Sequence, residues 1–220
     1  PIFEDLQFTR LLSQIPESPV ATVKRTTPIY AESGQSSLPT RVENSIAAKD
    51  AIASLVKADA IAWRTVTEGE HPVTPKIIAV GITDGHTVFA FSSAMAPALA
   101  DIFSGTHKTV VCHDLKRETT ALASLGLFAP ENAFDLMLAS YLLHAGERRH
   151  TLDAMLAFHR NVAPSEDADP AVRLAIEIPH FLPMAKELGG QLKELKLDAL
   201  LRDIETPVAS VLSRMERAGI

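Results

Sequence analysis

Three short runs rich in β-branched and aromatic residues stand close together at 60–67, 76–82 and 87–91, and they constrain the fold more than any other feature of the chain. Each has the length and composition of a strand. Asp84-Gly85 falls between the second and third, and this dipeptide favours the positive φ angles of a tight hairpin turn. A fourth apolar run, Thr109-Val110-Val111-Cys112, is isolated among helical patterns and reads as a short buried strand. A hairpin-rich group followed by one strand among helices predicts an α/β or α+β layered architecture.

The rest of the chain reads mainly as helix. Apolar spacing predicts helices over 3–15, 46–55, 95–103, 115–127, 134–144 and 152–159, with 16–42 as a loop containing four prolines. Glu43-Asn44-Ser45 precedes the second of these, and the helix over 115–127 should end near Gly126. A long helical pattern covers 166–188, where Pro170, Pro179 and Pro183 predict kinks or short breaks and Gly189-Gly190 a stop. A last pattern covers 192–217, with Pro207 placed to open a second helix inside it.

Composition excludes several function classes. At 46% hydrophobic and 22% charged, the 220 residues can bury a sizeable core. The net charge of −6 argues against a free-standing, non-specific nucleic-acid binder, leaving only a local basic patch or an attached domain for that role. Arg148-Arg149-His150, with Lys116 and Arg117, is the candidate for such a patch, and a solvated surface is its plain alternative. Cys112 is the single cysteine, so neither an internal disulfide nor a cysteine-based zinc site can form, which fits a reducing cytoplasm. No long uninterrupted apolar run suggests a membrane span. The chain begins with Pro1 rather than Met, the start expected of a segment cut from a longer protein.

Five stretches carry a resemblance. The run Phe134-Asp135-Leu136-Met137-Leu138-Ala139-Ser140-Tyr141-Leu142-Leu143 resembles F-D-(T/L)-M-L-x-(S/A)-Y-(L/I)-L of bacterial DNA polymerase I, and His150-Thr151-Leu152-Asp153 the H-D-M-D-type turn that follows it. Glu166-Asp167-Ala168-Asp169 is similar to E-D-A-D near the end of that family's proofreading 3′–5′ exonuclease domain. The stretch from Asp203 to Ile220 resembles the run that begins the polymerase domain, and the one from Phe3 to Leu12 the helix that follows the 5′ nuclease. The resemblance implies a ribonuclease-H-like 3′–5′ exonuclease fold: a mixed central sheet flanked by helices, with a C-terminal helical extension. It implies an N-terminal helix and linker over 1–45, an exonuclease-like domain over 46–190 and the helical start of a polymerase domain over 191–220. Implied partners are DNA, through a parent polymerase, and the polymerase domain of the same full-length chain, in the cytoplasm and away from membranes.

The implied chemistry is two-metal phosphodiester hydrolysis, in which Mg2+ or Mn2+ ions about 4 Å apart activate water and stabilise the leaving oxygen. Hard ions require converging carboxylates, and a strand carrying D-x-E presents two on one face. In this chain the first-strand acid positions fall on Arg64 and Val66, and the position of an orienting tyrosine on Ala163. Glu118 replaces the aspartate of N-L-K-Y-D, and Asp167 matches the last acid. Glu118 and Asp167 are therefore the vestigial catalytic and metal-binding candidates, while Arg64, Val66 and Ala163 occupy lost positions. Glu68 and Glu70 could substitute for the lost acids only after a register shift. Two functional readings follow: a degenerate, structural exonuclease domain needing no cofactor, or an active Mg2+- or Mn2+-dependent proofreading exonuclease. An unrelated α/β protein sharing these patterns by chance is the third.

Three plainer expectations complete the reading. Asp135 and Asp114 are placed to cap helices. Trp63 should be core, and the scattered His113, His144, His150 and His159 form no metal-ligand pattern.

Overall fold

The computed structural model describes residues 38–69, 73–105, 109–162 and 168–220, all within one compact unit that runs from Gly34 to Ile220. The helix expected over 3–15 lies outside the described residues. In chain order the elements are β1 (Thr40–Val42), α1 (Ser45–Leu55), β2 (Ala60–Glu68), β3 (Lys76–Thr83) and β4 (Val88–Ser92). A 3-10 turn (Ala96–Leu99) then runs into α2 (Ala100–Phe103), followed by β5 (Thr109–Cys112), α3 (Leu115–Ser124), β6 (Phe134–Asp135), α4 (Leu136–Leu143) and α5 (Leu152–Arg160). The chain closes with α6 (Pro170–Glu177), a 3-10 segment (Ile178–His180), α7 (Phe181–Glu194), α8 (Asp198–Leu200), a π-helical turn (Leu201–Glu205) and α9 (Thr206–Ala218).

The six strands form one mixed sheet in the order β1-β4-β3-β2-β5-β6. β2, β3 and β4 are antiparallel neighbours, as the three strand-like runs predict, while β1 joins β4, and β5 joins β2 and β6, in parallel. The hairpin turn sits where Asp84-Gly85 predicts it. Gly85 takes φ +91, and the Asp84 carboxylate accepts the amides of His86 and Thr87. The loop expected over 16–42 instead ends in β1. Three residues are too few to show an alternating pattern, and only Val42 among them is buried.

Strand alternation divides the core between the two faces of the sheet. Ile61, Trp63, Val80, Ile82 and Phe91 face one cluster, with Leu55, Leu99 and Leu122 packed over them. Trp63 is fully buried, its ring edge-on to Phe103 at 5.6 Å. The opposite face carries small side chains, Ala62, Ala79 and Ala90, beneath Leu174, Ile178, Phe181 and Leu188. A Cβ on Gly81 would collide with Ile178 and lie 2.7 Å from Leu174, so glycine is what lets α6 close on β3. On this face, next to Gly81 and in register with it, stands Arg64.

Pro179 and Pro207 act as the sequence predicts, whereas Pro170 opens a helix instead of kinking one and Pro183 lies in the first turn of α7 without breaking it. Pro170 lies in the first turn of α6, Pro179 in the 3-10 break, and Pro207 at the start of α9. Gly189-Gly190 does not stop a helix: α7 continues through both to Glu194. Buried Met184, Ala185, Leu188 and Leu192 keep helical spacing across the glycines, and their packing overrides the poor helix propensity of the pair. Gly189 also lies against the Phe134 ring. α9 packs on α3 through a buried hydrogen bond between the hydroxyls of Thr120 and Ser213 at 2.8 Å and a Lys116–Glu216 ion pair at 2.7 Å. Among the described residues no helix is long and apolar enough to cross a membrane.

Candidate functional site

β5 pairs with β2 only as far as Ala62. Beyond that point one side of β2 has no strand beside it, and the first turn of α3 occupies the space. Glu118 fills the gap. Its Oε2 accepts the Thr65 backbone N–H at 2.8 Å, in place of the missing neighbour strand, and its Oε1 lies 3.2 Å from the Arg117 guanidinium. Arg117 in turn donates to the Thr67 hydroxyl at 3.1 Å.

The start of α3 is fixed just as tightly. Asp114 adopts a left-handed conformation with φ 60 and caps the helix by accepting the Arg117 amide. Asp135 caps α4 through the Met137 amide, as expected of it, and also accepts the amides of Asp114 and Leu115. One buried carboxylate thus clamps three backbone N–H groups from two segments, a role its sequence position does not disclose. Burial pushes the carboxyl of Asp135 up to about 6 against the pull of these amides, and that of Glu118 up to about 7 against the pull of Arg117 and Arg64.

Arg64 is on the other face of β2. It forms an ion pair with Glu177, whose side chain is fully buried at the end of α6. Arg173, one helical turn earlier, reaches the second oxygen of the same carboxylate at 2.9 Å. Burial draws the Arg64 guanidinium below its ordinary value, while Glu177 and then Glu118 oppose that effect. Charges this deep persist only when paired and hydrogen-bonded, and the guanidinium fork supplies both. Glu177 is the functional-site residue that sequence reasoning missed. A signal was available: with Leu174 and Phe181 it occupies an apolar helical register, as Arg64 does on its strand, so two opposite charges occupy core positions.

The remaining candidates are placed as follows. Val66 is half-buried against the apolar cluster under α6 and α7 and offers no ligand atom. Asp167, Ala163 and Glu70 lie outside the described residues. Glu68 is exposed and paired with Lys76. Cys112 is fully buried, which raises its thiol well above the ordinary value. Asp169 caps α6 and pairs with Arg41 at 2.7 Å. The Nε2 of His113 donates to the His150 carbonyl at 2.8 Å, and burial pushes its ring down to about 4, so it is neutral at pH 7. The residues of the expected basic patch are divided: Lys116 pairs with Glu216, Arg117 with Glu118, and Arg149 with Glu147.

Among the described residues the donor set does not suit a pair of divalent ions. Among the described residues no group of three or more His, Cys, Asp or Glu side chains is placed to hold a metal. The Glu118 oxygens are committed to Thr65 and Arg117, and the Arg64 guanidinium on β2 is paired with Glu177.

Comparison with known proteins agrees with this architecture. A family model described as DNA polymerase I, ribonuclease H-like domain, matches residues 65–169. The DNA polymerase I of Mycobacterium tuberculosis is 28% identical over 163 residues, covering 65% of this chain and 18% of that protein. The chain therefore spans about 18% of the length of this curated relative. Among solved structures, the POL domain of Pol1 from M. smegmatis in complex with DNA primer-template and dNTP superimposes with TM-score 0.67 at 19% identity, covering 81% of this chain and 32% of that one. Escherichia coli RNase D, an exoribonuclease, superimposes with TM-score 0.68 at 14% identity over 80% of this chain and 50% of its own. The fold is that of the ribonuclease-H-like exonucleases, and residues 65–169 are similar to the ribonuclease H-like domain of DNA polymerase I.

Proposed function

We propose that this chain is a 3′–5′ exonuclease-like domain of a bacterial DNA polymerase I in which two-metal hydrolysis has been lost. Its remaining role is structural: it supports a polymerase domain in a longer chain, of which residues 191–220 form the start, and it faces DNA in the cytoplasm without cutting it. One observation carries the reading. The strand position from which a carboxylate should project holds Arg64, locked to a buried Glu177. The guanidinium takes the place of a metal ion, and with Arg173 it occupies both Glu177 oxygens, leaving no free anionic oxygen there. Glu118 alone provides too little: one carboxylate, bonded to a backbone amide and a guanidinium. On this reading neither Mg2+ nor Mn2+ is required, and Asp167 is a remnant of the family's ligand set.

The experiment is digestion of a 3′-labelled single DNA strand in the presence of Mg2+ or Mn2+. The expected result is an intact strand. Release of 3′ nucleotides that disappears in Asp167→Ala would establish the active proofreading exonuclease instead.

A further inference from the structure

One cleft lies away from the neighbourhood of Glu118 and Arg64. It holds about 400 Å3, between the start of β5, the residues leading into β6, the end of α7 and the π-helical turn. Its apolar floor is Val110, Ala133, Phe134 and Leu201, of which all but Phe134 are buried. α7 backs the Phe134 ring through Gly189. Thr109 starts β5, whereas Asp114 and the α3 turn follow its end, so the length of the strand, on the order of 10 Å, separates the cleft from the candidate site.

Polar side chains surround this floor. Lys193 and Arg202, both exposed, line the cleft together with Thr109 and Asn132. Among the described residues that line it there is no Asp or Glu. The Arg202 guanidinium is oriented from outside by Asp203, to which its Nε donates at 2.7 Å and its Nη2 at 2.9 Å. That fork leaves further guanidinium donors over. Lys193 then supplies the net positive charge. The wall that carries Leu201 and Arg202 is the π-helical turn Leu201–Glu205. Such turns are rare and concentrate at functional sites.

An apolar floor with a few converging polar groups is the pattern of a small-molecule pocket. Two cations from separate elements, with no lining carboxylate to oppose them, select a dianion, and a guanidinium and an ammonium both suit phosphate oxygens. The volume is too large for an inorganic ion alone, and the floor favours a flat apolar body. We infer that this cleft binds a small organic phosphate monoester, its body against Phe134 and Leu201 and its phosphate between Lys193 and Arg202. Lys193, Leu201 and Arg202 belong to the C-terminal stretch 191–220, whereas Thr109, Val110 and 132–134 belong to the body of the exonuclease-like domain. The ligand therefore bridges the two and should raise the thermal midpoint of the chain. The inference goes beyond the proposed function and does not depend on it.

The test is a calorimetric titration of 1-naphthyl phosphate into the 220-residue chain, with 1-naphthol and inorganic phosphate titrated separately as the two halves of the probe. Saturable one-to-one binding of the ester is expected, with a dissociation constant below about 1 mM. Either half alone should bind at least about tenfold more weakly. Lys193→Glu and Arg202→Gln should each weaken binding of the ester at least about fivefold. Lys193→Arg, which keeps the charge, and Arg217→Gln, at an exposed arginine outside the cleft, should bind as the parent does. Circular dichroism of each variant checks the fold. The inference is overturned if the parent shows no saturable binding, or if folded Lys193→Glu and Arg202→Gln bind as it does. A loss in Arg217→Gln as large as that in Lys193→Glu would mark a diffuse attraction and overturn it equally. Cleavage of DNA with Mg2+ would overturn the proposed function and leave this cleft unaffected, so the two failures are distinct.

Discussion

Neutralising Glu177 should damage the fold far more than removing Arg64, although the two form a single ion pair. In Glu177→Gln the side chain keeps its shape and loses its charge. Arg64, 11% exposed, is then left as a cation beside the second apolar cluster without its ion-pair partner. Removing one partner of a buried pair typically costs about 3–5 kcal/mol. In Arg64→Met the Glu177 carboxylate is still held by Arg173 at 2.9 Å, and Arg173, 25% exposed, also reaches toward Asp153 at 4.0 Å. That change should cost about 1–2 kcal/mol, because the pair with the more exposed Arg173 survives and an apolar chain fills the space. The double variant Arg64→Met/Glu177→Gln should then be more stable than Glu177→Gln alone by roughly 2 kcal/mol, since it removes the stranded charge. Urea unfolding at pH 7 measures all four proteins, with midpoints compared at a common slope. If Glu177→Gln costs less than about 1 kcal/mol, or if the two single effects simply add, Arg64 is not the buried, dependent partner described above.

Two further predictions concern the same neighbourhood. Burial raises Glu118 from 4.5 to about 7, so the folded chain binds a proton that the unfolded chain releases between those values. The stabilisation from that proton is fully present below 4.5 and is lost as pH rises through 7. Glu118→Gln does not titrate, so its stability relative to the parent should rise by about 3 kcal/mol between pH 4.5 and pH 8, and a flat or falling difference in urea midpoints would refute this. Taking the difference between the two proteins cancels the contributions of Asp135 and His113. Gly81→Ala should destabilise by about 1–3 kcal/mol, because Leu174 and Ile178 are both fully buried and must be displaced; adding Leu174→Ala should recover part of the loss, and an unchanged thermal midpoint for the single variant would contradict the close packing.

How far these features were legible varies with how local their causes are. The hairpin β3–β4 was visible because β-branched runs and Asp84-Gly85 are short-range signals, and the caps at Asp114 and Asp135 because a carboxylate before an apolar run has few other uses. The extent of α7 was not, since the packing of Met184, Leu188 and Leu192 that carries it through Gly189-Gly190 is a tertiary fact. β1 was hidden because its pairing with β4 spans more than forty residues and only Val42 is buried. At the site, Arg64 and Val66 showed what was missing, but Glu177 is 113 residues from Arg64 and nothing near it in sequence announces its partner. Glu118 was identified as a candidate ligand, whereas its bond to the Thr65 amide depends on where β5 stops alongside β2.

The most direct measurement is a calorimetric titration of Mn2+ into the 220-residue chain at pH 7, alongside the Arg64→Asp/Val66→Glu variant, which puts two carboxylates back on β2. If the Arg64–Glu177 pair has taken the place of the ions, the parent should give no heat beyond dilution at millimolar Mn2+, and the variant should gain a saturable site. Saturable binding of two Mn2+ ions by the parent would contradict the account.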